Sequence, residues 1–267
     1  MTCVVFLGPS LATAEARAIL DADYRPPASA NDVLDAVCDA PSAIVVIDGL
    51  FEQVLSVRHK EILYALSRGI RVYGAASMGA LRAAELDVFG MRGVGRVYEA
   101  YASGEYEDDD EVAVAHGETD YGFRPVSEAM VNLRWGLELA EAQHVISTTT
   151  RTRLTAVGKT LFYRERSWAA LLALGADEGV PAHELQALRA FVKHTQPNRK
   201  REDAVMVLEE VREDLRRQDL APLPEFEFRL TRPLTHWLDA VRSRRLSRAP
   251  TGGVAGAEAP RRVTNEG

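Results

Sequence analysis

Cysteine is scarce in this 267-residue chain: only Cys3 and Cys38 occur. Two thiols give no disulfide framework, form no C-x-x-C pair, and fit a reducing, cytoplasmic setting. No Cys/His set has zinc spacing, and neither a P-loop nor a G-x-G-x-x-G fingerprint is present, so no metal and no cofactor are expected. Long apolar runs are also missing. The N-terminal stretch CVVFLG is short and has no basic segment before it, which argues against a signal peptide. Nothing approaches the ~18 apolar residues of a membrane span. Excess positive charge is lacking too: the formal net charge is -7, which argues against sequence-independent nucleic-acid binding.

What is there is a change of pattern along the chain. Three short, nearly unbroken apolar runs, Cys3–Leu7, Ala43–Ile47 and Val72–Ala75, alternate with helix-like stretches over Leu11–Leu20, Asn31–Cys38, Val54–Arg68 and Met78–Asp87. Gly69 reads as a helix stop, and Tyr24–Ala30, with Pro26-Pro27, reads as a loop. Glu111–His116 (EVAVAH) is expected as a further strand after an acidic run, Glu107–Glu111, taken as solvated surface. Apolar strands alternating with helices signal a parallel sheet covered on both faces. Helical patterns follow over Val126–Ile146, Arg153–Arg164, Trp168–Leu174, Ala182–Lys193, Arg201–Arg217 and Leu234–Val241, with Pro222–Leu230 as an extended connector. The expected fold is α/β: a small Rossmann-like three-layer core with a mostly parallel sheet of three to five strands, then an all-helical C-terminal part. The expected division is an α/β core over 1–125, a helical region over 126–246 and a disordered tail over 247–267.

Ligands of an open parallel sheet bind beyond the carboxyl ends of its strands. The three exits are Gly8-Pro9-Ser10, Asp48-Gly49 and Ala75-Ala76-Ser77, each pairing small residues with a polar side chain. Ser77 stands in A-x-S-x-G, a relaxed nucleophile elbow, with the amides of Met78 and Gly79 placed to bind an oxyanion. Read alone, the motif favours a helix cap, contributing about 1 kcal/mol, over a nucleophile. His59 falls on the same helical face as Ile62, Leu63 and Leu66, so it is expected to face the sheet near Ser77 as a base; otherwise it is a satisfied core histidine. Lys60 lies on the flank, Asp48 is an orienting carboxylate or an Asp-Gly turn residue, and Arg82 with Glu85 is an ion pair or an anion clamp. His116 would reach the same edge if its strand is parallel.

The stretches VVFLGPSL, DYRPPA, IVVIDGLFEQ, HKEILYALSRGIRVYGAASMGALRAAEL, FGMRGVG, DDDEVAV and KREDA together resemble the TfuA family. That resemblance implies a partnership with a YcaO enzyme, which activates peptide backbone amides with ATP. It also implies sulfur delivery: hydrolysis of the C-terminal thiocarboxylate of a small ThiS-like carrier, releasing sulfide for peptide thioamidation. The implied site comprises Asp48, His59, Lys60, Ser77, Arg82 and Glu85, with Gly8, Ser10, Met78 and Gly79 as oxyanion and substrate contacts. Lys200 and Asp203 of KREDA complete it from the helical part. Attack by Ser77 with His59 or Lys60 as base, and attack by water activated by His59 with Ser77 as a binder, both remain open. So does a non-catalytic role as an adaptor that binds and activates YcaO. A homo-oligomer is compatible with the sequence.

Overall fold

The structure, a computed structural model, describes residues 2–50, 54–115, 125–217 and 222–248. Five strands form one sheet: β1 Cys3–Phe6, β2 Asp23–Arg25, β3 Ala43–Val46, β4 Arg71–Ala75 and β5 Arg92–Val94. Every pairing is parallel and the order is β2-β1-β3-β4-β5, with Val4 opposite Ile44 and Val45 opposite Tyr73. All residues of β1 and β3 are buried, as continuous apolar strands covered on both faces must be.

The two faces are covered by different parts of the chain. Val4, Phe6, Ile44, Val46 and Val72 pack against α2 (Asp32–Val37), α3 (His59–Ser67) and α4 (Met78–Leu86) through Val33, Ile62, Leu66 and Met78. The opposite face, with Val5, Val45 and Tyr73, packs against α1 (Thr13–Ile19) and α10 (Arg199–Arg216) through Ala16, Val207 and Val211. A helix from beyond residue 125 thus shares the core of the sheet. α5 (Arg96–Ala102) follows β5. α6 (Met130–Ala142), α7 (Thr148–Thr160), α8 (Trp168–Asp177) and α9 (Ala182–Thr195) form a separate helical core that buries Met130, Leu133, Leu137 and Leu154. The extended connector places Phe226 and Phe228 on Phe89 and Tyr64, and α11 (Arg232–Arg248) then packs Leu234 and Leu238 on Leu34. No helix among the described residues is long and apolar enough to cross a membrane.

The structure corrects several expected elements. Tyr24 and Arg25, read as loop, belong to edge strand β2; an edge strand can be polar, and Arg25 is tied to Asp23, Asp35 and Asp39. EVAVAH is not a strand: Asp109–Glu111 form a 3-10 turn and no strand covers 112–115, while His116 lies outside the described residues. The acidic run is not simple solvated surface either. Lys159 contacts Asp108 at 3.0 Å and Asp110 at 2.6 Å, Arg134 holds buried Glu111, and the fully buried Arg166 grips Asp110. α3 begins at His59 rather than near Val54, and α6 begins at Met130 rather than at Val126. α11 continues to Arg248, beyond the boundary expected at 247, and the rest of the tail lies outside the described residues.

Candidate active site

The order β2-β1-β3-β4-β5 reverses direction between β1 and β3, and a doubly wound sheet opens its ligand crevice at such a switch point. The residues leaving β1 and β3 meet there. Asp48, almost fully buried, accepts hydrogen bonds from the amides of Gly8 (2.8 Å) and Ser10 (3.1 Å) and from the Ser10 hydroxyl (2.6 Å). One carboxylate thereby fixes the tight Gly8-Pro9-Ser10 turn and the direction of the serine side chain. The amide of Gly8 is thus occupied and is no free oxyanion donor.

Above this turn lies the N-terminal end of α10. Its buried Lys200 donates from Nζ to the carbonyl of Val112 (3.0 Å) and stands 4.0 Å from Asp48 Oδ1. Burial pushes the ammonium below the ordinary lysine range, and the charges of Asp48 and Glu128 oppose that fall. Asn132 joins the remaining parts: its Oδ1 accepts from the Lys200 amide (3.1 Å) and its Nδ2 donates to Glu128 (2.7 Å). Burial raises the Glu128 carboxyl, while the bonds from Asn132 and the Ala129 amide restrain it. Ser10, Glu128, Asn132, Trp168 and Lys200 line a cavity of about 460 Å³. The N-termini of α8 and α10 both open on it, since Ser167 and Asn198 cap these helices and lie in its wall. Helix N-termini with a buried lysine favour a negatively charged ligand group.

Residues 48–167 match the family described as TfuA-like protein. Over that stretch the chain is similar to the TfuA-like family. No curated protein matches it. The matched stretch contributes Glu128 and Asn132 to the cavity wall, and Asp48 and Val112 behind it as partners of Ser10 and Lys200, which themselves lie outside the match. The cavity is therefore closed by segments on either side of the matched stretch.

At the exit of β4 the arrangement is different. The Ser77 amide donates to the Ala75 carbonyl (2.7 Å) across Ala76, whose φ of 64° is a left-handed value that non-glycine residues rarely adopt. Ser77 is 3% exposed and its side chain makes no capping bond, so the simple cap reading does not hold. The Gly79 amide donates to the Ile47 carbonyl (3.3 Å), and a Cβ at Gly79 would overlap the Val46 carbonyl oxygen. Of the two amides expected to hold an oxyanion, Gly79's is thus occupied. Met78 is fully buried, its side chain filling the space over Gly49.

The structure does not bring His59 to Ser77. His59 is the first residue of α3, with half of its side chain exposed, and Nε2 bonds Glu85 at 2.8 Å. Glu85 also receives Arg82 Nη1 at 2.6 Å, and Arg82 Nε donates to the Val57 carbonyl. These three form a surface cluster. Lys60 is exposed, with Nζ 5.5 Å over the Phe228 ring. Asp203, on the same helix as Lys200, accepts from the Val97 amide (2.8 Å) at the start of α5, and burial raises its carboxyl to about 6. It does not line the cavity. Glu128 and Asn132 were missed from sequence. Their signal was two polar residues four apart at the start of a helix whose stripe, Met130, Leu133 and Leu137, is otherwise apolar.

Proposed function

We infer that this protein is a sulfur-delivery hydrolase. It would cleave the C-terminal thiocarboxylate of a ThiS-like carrier and release sulfide for a YcaO enzyme that thioamidates a ribosomal peptide. One observation carries this reading: the switch-point cavity combines the buried Lys200, the carboxyl of Glu128 and the serine Ser10, and Asp48 stands behind it against both Ser10 and Lys200. A thiocarboxylate is an anion at neutral pH, and its hydrolysis places further negative charge on the former carbonyl oxygen. Lys200 and the N-termini of α8 and α10 supply fixed positive potential for both. An ammonium has three donors, and the Val112 carbonyl takes one of them. Glu128, in the cavity wall with its carboxyl raised by burial, is suited to take a proton from an attacking water.

The test is sulfide release from thiocarboxylated carrier by the full chain, compared with Lys200→Met. The reading expects steady release by the wild type and a large loss in the variant. A wild-type chain that binds the YcaO enzyme and raises its turnover, yet frees no sulfide, would establish the adaptor role instead.

A further inference from the structure

The strongest local motif in the sequence directs attention to Ser77, but the cavity contains a different serine. We propose that Ser10 is the nucleophile of the site and Asp48 the group that receives its proton. This rests on the hydrolase reading, and it adds a covalent step at a named atom.

Three observations support it. Ser10 lines the cavity together with Lys200 and Glu128, whereas Ser77 does not. The Ser10 hydroxyl donates to Asp48 Oδ1 at 2.6 Å, a nucleophile–base distance, while no hydrogen bond joins Ser77 to His59. Ser10 also sits at the β1/β3 switch of the sheet, where the topology opens the ligand crevice; Ser77 leaves β4, away from that switch. Asp48 bonds both the Ser10 amide and its hydroxyl, so backbone and side chain are held by one group and the hydroxyl is preorganised.

The step balances as follows. Ser10 Oγ attacks the thiocarboxylate carbon as Asp48 takes the hydroxyl proton, and Lys200 faces the oxygen that gains charge. The carbon–sulfur bond breaks, sulfur leaves with that proton as hydrosulfide, and an ester on Ser10 remains. Water, deprotonated by Glu128, then attacks the ester; Glu128 returns that proton to the departing serine oxygen, and the carrier leaves as a carboxylic acid that ionises to an ordinary carboxylate.

The experiment uses the full chain in two arms. In the first, thiocarboxylated carrier is mixed with wild type, Ser10→Ala, Ser10→Cys and Ser77→Ala; sulfide is measured and acid-quenched samples are mapped by peptide mass spectrometry. The expected result is a carrier adduct on Ser10, a loss of about 10²-fold or more in Ser10→Ala with unchanged thermal unfolding, and less than a threefold change in Ser77→Ala. A thioester on residue 10 should accumulate in Ser10→Cys, which shows that the turn survives substitution. In the second arm p-nitrophenyl acetate replaces the carrier, with one acetyl group expected on Ser10. Sulfide release by Ser10→Ala at the wild-type rate overturns the nucleophile and leaves the hydrolase standing. If the wild type releases no sulfide the hydrolase reading falls, and the acetate arm alone decides Ser10: acetylation there keeps its nucleophilic character, and its absence removes it.

Discussion

The exits of β1 and β4 use similar residues to opposite ends. Both turn sharply after an apolar strand, and both place a serine within two residues of a glycine. At β4 the turn serves packing: Ala76 takes a left-handed φ, Gly79 lies against the β3 backbone, and Met78 fills the space over Gly49. At β1 the turn is fixed by one carboxylate that also stands beside a buried lysine at a cavity. Strain and close contact accordingly mark the better-looking motif, while polar convergence marks the better site. A sequence window displays the first; the second needs residues from both ends of the chain.

The sharpest way to break this comparison is Lys200→Met, which removes the cation and keeps the stem volume. Sulfide release should fall by about 10²–10³-fold, as for loss of an oxyanion-binding group, with the unfolding midpoint retained. At the other exit Gly79→Ala should act on the fold instead. Its Cβ meets the Val46 carbonyl, so urea denaturation should show a loss of about 3 kcal/mol.

Two carboxyls raised by desolvation extend the contrast. Burial raises Glu128 in the cavity wall and also Glu61, to about 7, between α2 and α3. Glu61 binds the amides of Asn31 and Arg58 and has no part in the cavity. Its native value lies above its unfolded value of about 4.3, so folding takes up a proton between them. The stability it contributes is complete below the lower value and is lost as pH rises through about 7, a change of roughly 3–4 kcal/mol. In Glu61→Gln, chemical denaturation from pH 5 to 8 should show a flatter profile with sulfide release retained, whereas Glu128→Gln should slow turnover.

Asp110 has the opposite sign. Burial opposes its charge, but the bonds from Lys159 and Arg166 outweigh that and hold the carboxyl below its usual range. Its contribution is present above the unfolded value of about 3.9 and lost as pH falls through the lower native one. For this partly exposed group Asp110→Asn should cost about 1 kcal/mol at pH 7, seen as a lower unfolding midpoint. The smallest effect belongs to His59→Ala. Its pairing with Glu85 is half exposed, so stability should shift by less than about 0.5 kcal/mol. A tenfold loss of sulfide release would instead return the base to β4 and reverse the comparison.

The central strands and their helices were legible because β1, β3 and β4 are continuous apolar runs. The edges were not. β2 is a polar triplet held by its neighbour, and β5 is three residues around Gly93. EVAVAH has strand-like alternation, yet Glu111 turns inward to Arg134 and the Val112 carbonyl to Lys200, partners that lie far along the chain. At the site, the sheet edge, Asp48, Ser10 and Lys200 were readable from strand exits and the KREDA stretch. The pairing of His59 was not, because it depends on where α3 begins: as the first helical residue, His59 reaches Glu85 on α4.

The placement of α10 bears on how the chain is made. Val5, Val45 and Tyr73 belong to strands that leave the ribosome early, but much of their cover on one face is residues 199–216. Vectorial synthesis leaves that apolar face without α10 while α6 to α9 emerge, an interval in which a chaperone or a misplaced helix can occupy it. Lys200 arrives on the same helix that closes the face. The last major layer of the core and the cation of the cavity are thus delivered together, and a chain stalled before Arg199 has neither.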